Sequence, residues 1–189
     1  MGREMWWAVA LPAYFLKELG GSESALGTTL AAGLIVFGMS QSICGVLIKK
    51  EIKIGDKVIK KPWEYQYTMP RFSFLLMLVP VCMILLKEDP TWLLVLILFY
   101  NLFSGLATAP HNFLHVSLAR PDRVGPDIAF YKTFSSIGEV GALLVSGVLY
   151  ETYGITSCLY FAAIIIMFSG VLSMWLPSTE SAEELTDEA

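Results

Sequence analysis

Residues 91–119 read TWLLVLILFYNLFSGLATAPHNFLHVSLA, a run of 29 positions with no Asp, Glu, Lys or Arg. A helix needs roughly 20 apolar residues to cross the hydrocarbon core of a bilayer, so this stretch alone is long enough to span one. Residues 25–48 and 155–176 are likewise free of those four residue types. Over the whole chain of 189 residues, 55% are hydrophobic and only 16% charged, against about a quarter charged in an ordinary soluble domain. The charges that remain are bunched between the apolar runs, which reads as an all-α membrane protein rather than a large soluble core.

Working outward, residues 72–86 form a shorter apolar run, and Arg71 and Lys87 at its ends can extend their charged heads to opposite interfaces. Residues 133–150 are apolar apart from Glu139. Residues 5–16 are short for a span and contain Pro12. Arg3 is balanced by Glu4 and no convincing cleavage site follows, so a short first helix is expected here rather than a secretory leader. Trp6 stands where an N-myristoylation signal needs Ser or Thr. The expected spans are therefore 4–18, 25–48, 69–87, 91–117, 127–150 and 155–176, making one transmembrane domain over residues 1–177. A loop at 49–70 interrupts it, and the acidic tail at 178–189 should be disordered.

Charge sets the expected orientation. Lys49, Lys50, Lys53, Lys57, Lys60, Lys61 and Arg71 crowd the link between the second and third helices, and Arg120, Arg123 and Lys132 lie around that between the fourth and fifth. The alternate connections carry only Lys17 and Lys87. Positive residues favour the cytoplasmic side, so a multi-pass protein of the cell membrane with both termini cytoplasmic is expected. Trp6, Trp7, Trp92 and Trp175 fall near helix ends, as an interfacial aromatic belt requires. Within the loop, the alternation of residues 51–60 around Gly55-Asp56 predicts a small β-hairpin. It could attract anionic lipid headgroups, but an ordinary positive-inside loop is the reading favoured by sequence alone.

Cys44, Cys82 and Cys158 lie inside apolar runs with no paired spacing, which predicts buried packing rather than a disulfide framework or metal site. No phosphate loop, dinucleotide fingerprint or nucleophile elbow is present, so neither an enzyme nor a cofactor is expected. The basic loop lacks nucleic-acid-binding features and its membrane setting accounts for it.

Residues 11–50, LPAYFLKELGGSESALGTTLAAGLIVFGMSQSICGVLIKK, resemble the first helical hairpin of a major facilitator superfamily half. Residues 117–154, SLARPDRVGPDIAFYKTFSSIGEVGALLVSGVLYETYG, resemble that family's fourth-to-fifth connection and fifth helix, and residues 155–176 fit its sixth. In the family signature Gly-x-x-x-Asp-Arg-x-Gly-Arg, Gly45 takes the first position here, while Lys49-Lys50 stands where Asp-Arg would be. The resemblance implies six helices forming one half of a twelve-helix transporter, the C-terminal half by its short first helix and acidic end. It further implies a second six-helix half, as a homodimer partner or a separate chain, and a small-molecule solute moved by alternating access. The competing reading is a non-transporting accessory subunit or a truncated transporter fragment.

Glu139 is the leading candidate for the path, since it lies 12 residues beyond Asp127, about 18 Å along a helix. A carboxylate at that depth is costly unless it is paired or faces water, so intramembrane acids commonly mark proton or substrate routes. Tyr100 and Asn101 fall at similar depth, and Gln41 adds a polar group from the second helix. His111, Asn112 and His115 lie nearer the cytoplasm; the i, i+4 histidines share a face as in zinc sites, but no acidic or Cys ligand accompanies them, so a polar patch is expected and no metal. Gly45 on the second helix, and Gly138, Gly141 and Gly147 on the fifth, offer small-residue surfaces for close helix packing.

Overall fold

The computed structural model describes residues 6, 9–49, 52–54, 57–60, 65–117, 119–120 and 123–175. Among the described residues six helices and one hairpin follow in order: α1 (Ala10–Lys17), α2 (Glu23–Lys49), β1 (Ile52–Ile54), β2 (Lys57–Lys60), α3 (Tyr65–Leu86), α4 (Pro90–Ser117), α5 (Val124–Tyr153) and α6 (Ile155–Ser173). Five of them, α2 to α6, are long and apolar enough to cross a membrane. The acidic tail expected at 178–189 lies outside the described residues.

Short polar turns close the helical hairpins. After α1, the Gly21 amide returns to the Phe15 carbonyl at 3.0 Å. The Ser22 hydroxyl then accepts the Ala25 amide at 3.1 Å, capping the start of α2. Asp89 caps α4 by accepting the Thr91 amide at 2.9 Å, and Pro90 at the first helical position needs no N–H there. Gly154 alone separates α5 from α6, with φ 76° and ψ −177°, a conformation that only glycine adopts readily. These turns meet at one end of the bundle. Tyr14 donates to the Lys87 carbonyl at 3.1 Å, Lys87 Nζ to Thr156 Oγ1 at 2.8 Å, and Tyr150 to Glu18 Oε1 at 2.9 Å.

The main core is shared by α1, α3, α4 and α6. Leu11, Phe15, Met83, Leu93, Ile97, Tyr100, Cys158 and Leu159 are each almost wholly buried there. Helix α2 packs chiefly against α4, and α3 against α4 and α6. The α2–α4 crossing is tight at Gly105, where an added Cβ would fall 2.5 Å from the Phe37 carbonyl oxygen and against the Ser40 hydroxyl. Helix α5 stands apart: 6% of its spanning window is buried, against 39% for α4 and α6. One edge of α5 docks, through residues such as Ser146, and the remainder is open.

The expected hairpin is formed. Its strands are antiparallel with Ile52 opposite Lys60, Lys53 opposite Val58 and Ile54 opposite Lys57, and an irregularity between Ile52 and Lys53. At three of the four glycines expected to pack, the described residues leave open space for a side chain to begin. An added Cβ at Gly45, Gly141 or Gly147 would meet nothing within 4 Å. Gly138 is half-buried. The close approaches lie at Gly105 and at Gly170, where a Cβ would come within 3.1 Å of Ser73 Cβ on α3.

Candidate functional site

The link between α4 and α5 is drawn into a tight return by Arg120 and Asp127. Arg120 Nε donates to Asp127 Oδ2 and Nη2 to Oδ1, both at 3.1 Å, and the Arg120 amide reaches Oδ2 at 3.2 Å. A guanidinium–carboxylate fork of this kind fixes direction as well as distance. It brings the first turns of α5 back along the last turns of α4, so that two consecutive α5 residues, Tyr131 and Lys132, meet the polar face of α4.

There the i, i+4 spacing places His111 and His115 together, with ring centroids 4.4 Å apart. His115 stacks on Tyr131 at 5.1 Å and 14° between planes. Lys132 Nζ lies 3.5 Å from Asn112 Oδ1, at the outer limit of a hydrogen bond. The sequence places the two histidines on one helix face, with Asn112 next to His111 in the chain. It does not show that Tyr131 and Lys132 complete the patch, because that depends on the angle at which α5 returns. Among the described residues, no group of three His, Cys, Asp or Glu could hold a metal ion.

Glu139 is two turns further along α5. It follows Lys132 by seven positions, about 10 Å along the axis, and the two share a face. Its side chain is half-buried and accepts a hydrogen bond from Ser135 Oγ at 3.3 Å. Alongside this stripe, Lys132, Thr133, Ser136, Ile137 and Val140 line a shallow open hollow of ≈ 490 Å³. The surface therefore combines a cation, hydroxyls and, at its edge, a carboxylate at membrane depth.

The other expected path residues go elsewhere. Tyr100 and Asn101 are 1% and 6% exposed. Tyr100 meets Trp6 edge-on at 4.7 Å, and Asn101 Nδ2 donates to the Ile97 carbonyl of its own helix at 2.9 Å. Both are buried rather than on the α5 stripe. Gln41 is half-buried beside the Gly105 crossing, its backbone nitrogen 3.2 Å from where a Cβ on Gly105 would sit. That crossing, with Ser40 and Gly105, has no advance signal in the sequence, where glycines and serines recur along both helices.

A second contact between these helices lies one turn on. Proline has no N–H, so Pro110 cannot bond the carbonyl four residues before it, that of Leu106. The buried Cys44 thiol of α2 approaches that carbonyl at 3.5 Å. Polar side chains from neighbouring helices commonly satisfy backbone groups freed by proline within membranes. The expected buried packing of Cys44 is seen, with a hydrogen bond added. Cys158 is also buried, whereas Cys82 is exposed.

Neither the curated proteins nor the solved structures give a significant match to this chain. The family model of the Major Facilitator Superfamily matches residues 2–189. With five apolar helices of spanning length among the described residues, the chain belongs to the major facilitator superfamily and is a multi-pass membrane protein of a transporter family.

Proposed function

We propose that the chain moves a small solute across the cell membrane by alternating access, coupled to protons through Glu139. In this reading it acts as one six-helix half beside a second, either another copy or a separate chain, with both termini cytoplasmic. Family membership supplies the transporter class. The observation that carries the coupling is Glu139 itself: a half-buried carboxylate midway along a spanning helix, hydrogen-bonded by Ser135, beside an open hollow whose lining sets Lys132, Thr133 and Ser136 among Ile137 and Val140. A carboxylate in that setting can bind and release a proton as water reaches it or is excluded. Lys132, His111, Asn112 and His115 extend the polar surface toward one end of the bundle, a route along which solute and proton could enter. The lysine-rich side is taken as cytoplasmic on charge grounds.

The test uses inverted membrane vesicles containing the full chain and a dye that reports an imposed pH gradient. Members of a solute panel should dissipate the gradient in wild-type vesicles. Glu139→Gln should abolish that dissipation while the protein still resists carbonate extraction, and Glu139→Asp should retain part of it. Solute-driven proton movement at the wild-type rate in Glu139→Gln would remove Glu139 from the mechanism.

A further inference from the structure

From the paired, lysine-studded strands β1 and β2, we propose that this hairpin lies on the bilayer surface next to α2 and α3 and binds anionic phospholipid headgroups.

Position is the first argument. Two residues separate the end of α2 at Lys49 from β1, and four separate β2 from the start of α3 at Tyr65. Even fully extended, two residues span only about 7 Å, so the hairpin cannot leave the membrane interface. Trp63, Tyr65 and Tyr67 follow in the sequence, residue types that favour headgroup depth.

Stability is the second. A two-stranded hairpin is marginal at best in water and needs a further surface to hold it. Here each of the three cross-strand pairs joins one lysine to one aliphatic residue: Lys60 with Ile52, Lys53 with Val58, and Lys57 with Ile54. No two lysines are directly opposite, which avoids cross-strand repulsion. The same mixing leaves no purely apolar face for docking onto a protein core. A surface that accepts aliphatic groups and ammonium groups side by side is the headgroup layer of a bilayer, into which lysine stems sink while their charges stay among phosphates.

Charge is the third. Between Lys49 and Arg71 the sequence carries Lys49, Lys50, Lys53, Lys57, Lys60, Lys61 and Arg71 against Glu51, Asp56 and Glu64. That is seven positive and three negative charges, a net of 7 − 3 = +4. Each lysine near an anionic membrane surface strengthens attachment about fivefold.

The experiment reconstitutes the full chain in nanodiscs of phosphatidylcholine alone or with added phosphatidylglycerol. Both leaflets then have the same composition, so the result does not depend on orientation or on transport. Limited trypsin cleavage after Lys53, Lys57 and Lys60 is followed by mass spectrometry, relative to cleavage after the exposed Arg123. Cleavage in the hairpin should be at least about tenfold slower in the anionic discs, and raised salt should remove the difference. In the double variant Lys57→Gln/Lys60→Gln, cleavage after Lys53 should differ less than about threefold between the two discs. Equal relative cleavage of the wild type in both discs would overturn the proposal, as would protection that salt or the double variant leaves intact. Protection already present in neutral discs and lost on deleting residues 178–189 would assign the hairpin to the acidic tail instead, and would also overturn it.

Discussion

A methyl group at position 105 would press on the Phe37 carbonyl oxygen and the Ser40 hydroxyl across the α2–α4 crossing. The hydroxyl can rotate away, but the carbonyl belongs to helix backbone and cannot move without shifting α2. Overpacking of this kind typically costs about 1–3 kcal/mol. Gly105→Ala should therefore lower the melting temperature of the detergent-solubilised protein. A thiol-reactive dye in a Cys82→Ser background reports this directly, because Cys44 and Cys158 are buried until the bundle opens. An unchanged melt would mean that α2 and α4 do not approach at Gly105. Little at this scale was readable beforehand. Glu139 could be picked out because depth follows from counting residues along a helix. Gly105 could not, since the sequence does not say which of many glycines faces a neighbouring backbone.

At the scale of the helix, Pro110 and Cys44 form a unit. Pro110 removes a backbone donor from α4, and the Cys44 thiol supplies one to the Leu106 carbonyl from α2. Losing a hydrogen bond to a buried carbonyl costs on the order of 1 kcal/mol, so Cys44→Ala should destabilise the bundle by that amount and Cys44→Ser by less. In a Pro110→Ala background the restored backbone amide can bond the Leu106 carbonyl within α4, and Cys44→Ala should then cost almost nothing. Chemical denaturation followed by tryptophan fluorescence supplies the double-mutant cycle, and additive effects of the two substitutions would show that the thiol and proline are not coupled. Helix existence was well marked in the sequence because charge-free runs leave few alternatives in a bilayer. Helix ends were less so: α3 begins at Tyr65 rather than at 69, and α5 at Val124 rather than at 127. Polar residues near a membrane interface are compatible with either state, and here the helices simply continue through them.

At the scale of the whole molecule, the open surfaces differ in kind. Helix α6 exposes Tyr160, Phe161, Ile164, Met167 and Phe168, and α3 exposes Leu75, Leu78, Val81 and Leu85, surfaces that hydrocarbon chains can cover without cost. Helix α5 exposes Phe134, Ile137 and Leu144 but also Lys132, Thr133, Ser136 and Gly141. Polar groups at membrane depth are expensive against lipid, and exposed glycine at a helix surface favours close approach of another helix. Both features fit the second helical half proposed above and its shared water-filled path. Because a Cβ added at Gly141 would meet nothing within 4 Å among the described residues, Gly141→Leu should leave the melt of the isolated protein within about 0.5 kcal/mol of wild type. It should nonetheless weaken association with the second half, read as a shift toward the single-chain species in size-exclusion chromatography with light scattering. Ile164→Leu on α6, a conservative change on a lipid-compatible face, should alter neither measurement. If Gly141→Leu leaves association and solute-driven proton movement unaffected, the open face of α5 meets lipid, and the solute path must lie along another surface.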